Sequence, residues 1–124
     1  MPETTYITKA GEGGSLHIAE DVIAGIVFES VRAVEGIGGF STSLGDEISE
    51  RLGKKSFSKG VKVTTDENGI VVDVFILVKY GTVIQEVAAK VQESVMTGVK
   101  DIVGLDLLAV NVTISGIAFE KNKS

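Results

Sequence analysis

The sequence predicts an α+β domain, a small mixed or antiparallel β-sheet with two long helices and one short helix packed on one face. Three observations carry this. Asn68 to Tyr80 (NGIVVDVFILVKY) is almost continuously apolar and β-branched, as a central strand is. Thr65 to Gly69 (TDENG) in front of it is a reversal signal, because Asn and Gly tolerate the positive φ of a tight hairpin. Apolar residues then recur at spacings of three and four over 20–34 and 83–103, the repeat of a helix with one buried stripe. At 124 residues the chain has the size of one domain, and 44% hydrophobic residues with 6% aromatics give it a core of Val, Ile, Leu and Ala.

Residues 1–13 are polar, Gly-bearing and aperiodic, and are expected as a disordered N-terminal tail. The domain is expected over 14–119 and a C-terminal tail over 120–124. Ser15 to Ile18 reads as a short extended piece holding His17. Glu20 and Asp21 favour a helix start because first-turn carboxylates complement the helix dipole. Val22, Ile23, Ile26, Val27, Val31 and Val34 give that helix its stripe, and Gly25 inside it, at a cost of ~1 kcal/mol relative to Ala, suggests close packing.

Gly36, Gly38 and Gly39 read as the turn that ends this helix. Ser43 with Asp46 resembles a capping box, so a short helix is expected over 47–52, closed by Gly53. Strand 61–65 follows and pairs with 70–79 through the hairpin. Val83, Ile84, Val87, Val91, Val95, Val99 and Ile102 give the longest helical repeat, stopped by Gly104. The last strand is expected over 105–119, with a phase change at Gly116 that reads as a bulge or a crossing to another layer.

Side chains suited to catalysis are few. The chain has no Cys and one His, so thiolate sites, a His-based metal cluster and a Ser-His-Asp site lack raw material. Gly53-Lys54-Lys55-Ser56 resembles the end of a phosphate loop, but Ile48 stands where that loop needs Gly. Asp73 is best explained by an ion pair with Lys62 or Lys79 on its own sheet face. No catalytic residue, cofactor, metal or small-molecule substrate is expected. Gly36 to Gly39 fits the G-x-x-G of KH modules, which lies between two helices and clamps a nucleic-acid backbone. KH-like RNA binding through Gly36–Gly39 and the basic run 51–62 is therefore the alternative reading. Its weakness is that positions 33–50 hold no basic residue.

Charge is segregated along the chain. Arg51, Lys54, Lys55, Lys59 and Lys62 lie within twelve positions free of acid, which leaves the rest of a chain of net charge −5 at −10. Five clustered cations can engage an acidic or phosphate-bearing partner, while the global charge disfavours nonspecific nucleic-acid binding. Alternation along the central strand sets Ile70, Val72, Val74, Ile76 and Val78 toward the helices and Val71, Phe75 and Leu77 away from them. Those three are the candidate self-association residues, and the five cations are candidates for partner binding. No window has the roughly 20 apolar residues of a membrane span, and the N-terminus lacks signal-peptide character, so a cytoplasmic protein without direct membrane insertion is expected.

Four stretches together resemble the alkaline shock protein family, also called the Gls-type envelope stress response family, of mainly Gram-positive bacteria. They are GSLHIAEDVIAGI (14–26) with VEGI (34–37), GKKSFSKGVKV (53–63), VKYG (78–81) and AVNVTISGIAF (109–119). Among its members the chain is most similar to the short cytosolic type, whose genes often neighbour those of fatty-acid synthesis. The resemblance implies a non-enzymatic protein of envelope stress response or envelope and fatty-acid homeostasis. Such a protein acts by homo-oligomerisation and through other proteins, including a membrane-anchored one that recruits it to the membrane. The resemblance transfers no active-site residues.

Overall fold

The computed structural model describes residues 6–41 and 60–119. The short helix expected at 47–52 lies outside them. In chain order the described elements are β1 (Tyr6–Gly11), β2 (Gly14–Ala19), α1 (Glu20–Arg32), β3 (Ile37–Phe40), β4 (Val61–Asp66), β5 (Gly69–Lys79), α2 (Ile84–Val103) and β6 (Ala109–Ala118). The fold is α+β, as predicted.

β5 is the strand against which the other three strands of its sheet pair. β4 runs antiparallel to its first half, from Val61 opposite Val74 to Asp66 opposite Gly69, across the predicted tight turn. β3 pairs antiparallel with its second half on the same edge, Ile37 opposite Val78 and Phe40 opposite Ile76. β6 lies parallel along the other edge, reached through the α2 crossover that a parallel pair requires. The bulge expected at Gly116 is present: the register shifts between Ile76 and Leu77, leaving Ser115 as the extra residue of β6. That insertion keeps Ile114 and Ile117, three apart, opposite Ile76 and Val78 on the same face.

One face of this sheet carries the core. Val72, Val74 and Ile76 are fully buried, against Ile23, Val27 and Val31 of α1 and Val91, Val95 and Val99 of α2. α1 begins with Glu20 and Asp21 in its first turn and without a side-chain cap at Ala19. α2 closes on Gly104, whose φ of 79° allows its N–H to donate to the Lys100 carbonyl oxygen at 2.9 Å.

Three expectations are corrected. Residues 6–11 are not tail but strand: β1 pairs with β2 from Tyr6 opposite Ala19 to Gly11 opposite Gly14. The ribbon is fixed from outside by Ile7 and Ile18 on the core and by the Lys9 Nζ, which donates to the Gly104 carbonyl oxygen at 2.8 Å at the end of α2. His17 sits in this ribbon, its Nδ1 2.9 Å from the Thr8 Oγ1. Secondly, of the glycines expected to form a turn after α1, only Gly36 does so; Gly38 and Gly39 are in β3. Thirdly, Gly25 does not mark close packing, since a Cβ there would meet nothing within 4 Å.

Candidate interaction surfaces

The sheet face turned away from the helices is built by the predicted alternation. Val71, Asp73, Phe75, Leu77 and Lys79 of β5 share it with Lys62 and Thr64 of β4, opposite Asp73 and Val71, and with Asn111 and Thr113 of β6, opposite Asp73 and Phe75. Val71 and Leu77 are half-buried. Phe75 is only 8% exposed, yet stands apart from the helix-covered core cluster. Asp73 does not form the expected ion pair. Its Oδ1 accepts from the Asn111 Nδ2 at 3.1 Å, a neutral donor held in register beside it. Pairing with Lys62 would instead cost that long side chain its rotamer freedom for a contact worth little at a surface.

Glycines on the flanking strands make room for Leu77. A Cβ at Gly116 of β6 would lie 3.1 Å from the Leu77 Cδ2, and one at Gly39 of β3 would lie 3.8 Å from its Cδ1. Gly38 is tighter still, with a Cβ 2.6 Å from the Ala118 Cβ, and a Cβ on Gly36 would fall 2.8 Å from the Val87 Cγ2. Packing therefore accounts for Gly36 and Gly38, and a φ of 146° for Gly39. Gly38 and Gly39 lie in a strand paired to β5, not in a loop between two helices, which removes the geometric basis of the KH reading.

Of the five cations, Lys62 is placed on β4, half-buried on this face. Arg51, Lys54, Lys55 and Lys59 lie outside the described residues. The structure thus brings Lys62 together with Val71, Phe75 and Leu77 on one surface.

Two features escaped sequence reasoning. One is a cleft of about 630 Å³ at the end of the sheet where β5 and β6 finish, lined by Glu35, Lys79, Glu86 and Lys90 and by the stacked rings of Tyr80 and Phe119, 5.2 Å between centroids. Tyr80 and Phe119 are 72% and 68% exposed. The signal for them was the apolar phase running past both strand ends. The cleft combines two acids and two bases. The other feature is the outer edge of β6, which among the described residues pairs with no strand. Also among the described residues, no group of three or more His, Cys, Asp or Glu could hold a metal ion. No helix there is long and apolar enough to cross a membrane.

The model of the alkaline shock protein 23 family, described by a cell envelope-related function, matches residues 8–119. The chain is similar to the uncharacterized protein YqhY of Bacillus subtilis, 34% identical over 107 residues that cover 86% of this chain and 79% of that protein. It is similar to the uncharacterized protein YloU of the same organism, 35% identical over 84% of this chain and 88% of that one. The uncharacterized protein Spy1614 of Streptococcus pyogenes is 33% identical, with the same coverage of 84% and 88%. No solved structure matches the chain.

Proposed function

The chain belongs to the alkaline shock protein 23 family, whose function is cell envelope-related, and from that premise we propose that it is a non-enzymatic interaction protein. It works in envelope stress response or envelope and fatty-acid homeostasis by associating with itself and with other proteins, among them a membrane-anchored one. The observation that carries this reading is the one-sidedness of the sheet. α1 and α2 bury the face of Val72, Val74 and Ile76, while the opposite face keeps Val71 and Leu77 half-exposed among Lys62, Thr64, Asn111 and Thr113. Apolar residues inside a polar surround have the composition of an interface centre with its rim. The small supply of catalytic side chains, with no Cys and one His, supports the same reading.

Recovery of the tagged full chain from native cells tests it, with protein and RNA both identified. Envelope proteins together with untagged copies of the chain are the expected result, and Val71→Lys reduces their recovery. RNA retained at physiological salt with no protein partner would overturn the proposal.

A further inference from the structure

β6 is ten residues long and, among the described residues, has one strand neighbour, β5. Its other edge offers backbone N–H and C=O groups to any strand that can lie beside it. Protein chains blunt such edges with Lys, with Pro or with a bulge. Residues 109–119 contain no charged residue and no Pro, and the bulge comes late, at Ser115. Upstream of it, 109–114 run in unbroken register with β5.

Charge selects the occupant. With a net charge of −5, two copies of this chain repel wherever acidic surfaces meet. The side chains of β6 itself are uncharged, and the carboxylate beside them, Asp73 of β5 opposite Asn111, accepts from the Asn111 Nδ2 at 3.1 Å. Asn111 and Thr113 are exposed on the outer side. On the helix side stands Gln92, whose Nε2 donates to the Val110 carbonyl oxygen at 3.1 Å, and one turn further along α2 comes Met96, 41% exposed. A strand with an open edge among the described residues and no charged side chain of its own is self-complementary in the sense a two-fold interface requires.

We infer that β6 is the seam between two copies of this chain. The strands pair antiparallel over 109–114 across a two-fold axis, so that the two sheets become one and Gln92 and Met96 of each copy close over the joint. The inference rests on the self-association proposed above and gives it a second surface, the edge, distinct from the outer face.

Because the chain has no Cys, a single engineered thiol is the only one present. Directly opposed residues of an antiparallel pair have Cα atoms roughly 4.5–5.5 Å apart, within the reach of a disulfide. Asn111→Cys, Val112→Cys and Thr113→Cys are oxidised in the full chain, with Thr64→Cys on β4 as the comparison. A covalent dimer at one of the three β6 positions is expected, with Thr64→Cys reporting separately on the outer face. In parallel, Thr113→Lys and Thr113→Asp each weaken association at least about tenfold, and an equimolar mixture restores it. Circular dichroism verifies that the variants fold. A wild type that associates, cross-links only at Thr64 and ignores both Thr113 substitutions overturns the seam and leaves self-association standing. A wild type that stays monomeric at high concentration in light scattering overturns both.

Discussion

Gly25 and Gly98 both stand inside helices, and the structure predicts different outcomes when each becomes Ala. Glycine costs a helix interior ~1 kcal/mol relative to alanine. At Gly25, exposed on α1, a methyl meets nothing within 4 Å, so Gly25→Ala returns that whole amount. The corresponding rise in Tm is about 4 °C for a chain of this size. At Gly98 the new Cβ lands on the Ser30 Oγ, with the Ser30 Cβ at 3.6 Å and the Ile26 Cγ2 at 3.9 Å. The backbone of Ser30 is tied to α2, since the Ser94 Oγ donates to its carbonyl oxygen at 2.9 Å. The hydroxyl must turn out of its rotamer, at a cost of about 0.5–1.5 kcal/mol that cancels the helix gain. Gly98→Ala is therefore near neutral, and Gly98→Val, which adds two further methyl groups to the helix contact, loses about 1–3 kcal/mol. The double variant Ser30→Ala/Gly98→Ala removes the obstructing oxygen and recovers ~1 kcal/mol. Urea midpoints at constant m measure all four. If Gly98→Ala stabilises as much as Gly25→Ala, with no coupling to Ser30 in the double-mutant cycle, the α1–α2 contact is not packed as described.

Further outcomes follow from single contacts. Ile76, fully buried between β3 and β6, loses about 2–5 kcal/mol as Ile76→Ala in urea melts. Gly69, at φ 145° with a Cβ position 3.3 Å from the Leu108 Cβ, loses more than about 1 kcal/mol as Gly69→Ala, read as an earlier thermal midpoint. The Thr65 Oγ1 donates to the Glu20 Oε2 at 2.8 Å, and Glu20 is 8% exposed; Thr65→Val strands that carboxylate and costs about 1–3 kcal/mol at neutral pH, whereas an unchanged chemical-denaturation midpoint would mean that water replaces the hydroxyl. Phe75→Ser costs about 3–5 kcal/mol, because Phe75 is buried within the chain, so association assays on that variant require a parallel stability measurement.

The elements legible in the sequence were those whose own residues specify them. The hairpin announced itself in Asp66-Glu67-Asn68-Gly69, and α2 in a valine every fourth position from Val87 to Val99 with Gly104 behind it. β1 and β3 were illegible because neither is stable by local preference. β1 offers Ile7 as its one aliphatic anchor, and β3 is half glycine; both exist because a partner strand receives them. The direction of β6 was equally hidden, since a ten-residue apolar alternation reads the same whether parallel or antiparallel. Hence the candidate face could be assigned from the alternation of β5, but the β6 edge left unpaired among the described residues required the strand order. Phe75 was misplaced in degree rather than in direction. Alternation gives the side of a residue, while its burial depends on what else reaches that side.

The glycine contacts also decide which part of the outer face a partner can use. Gly38 of β3 and Ala118 of β6 stand on opposite edges of β5, yet only 2.6 Å would separate their Cβ atoms. The sheet must therefore curl over β5 at that end, with Leu77 enclosed between Gly39 and Gly116. At the other end Val71 lies between Thr64 and Ala109, without such closure. A partner docking on this face meets Val71, Lys62, Asp73 and Asn111 before it meets Leu77. Val71→Lys consequently impairs association with little effect on stability, because its ammonium reaches water at the open end. Leu77→Lys must force a charge into the glycine-lined slot and lowers stability first. Paired urea melts and light scattering on the two variants separate these effects, and equal stability losses would show that the face is not closed at one end and open at the other.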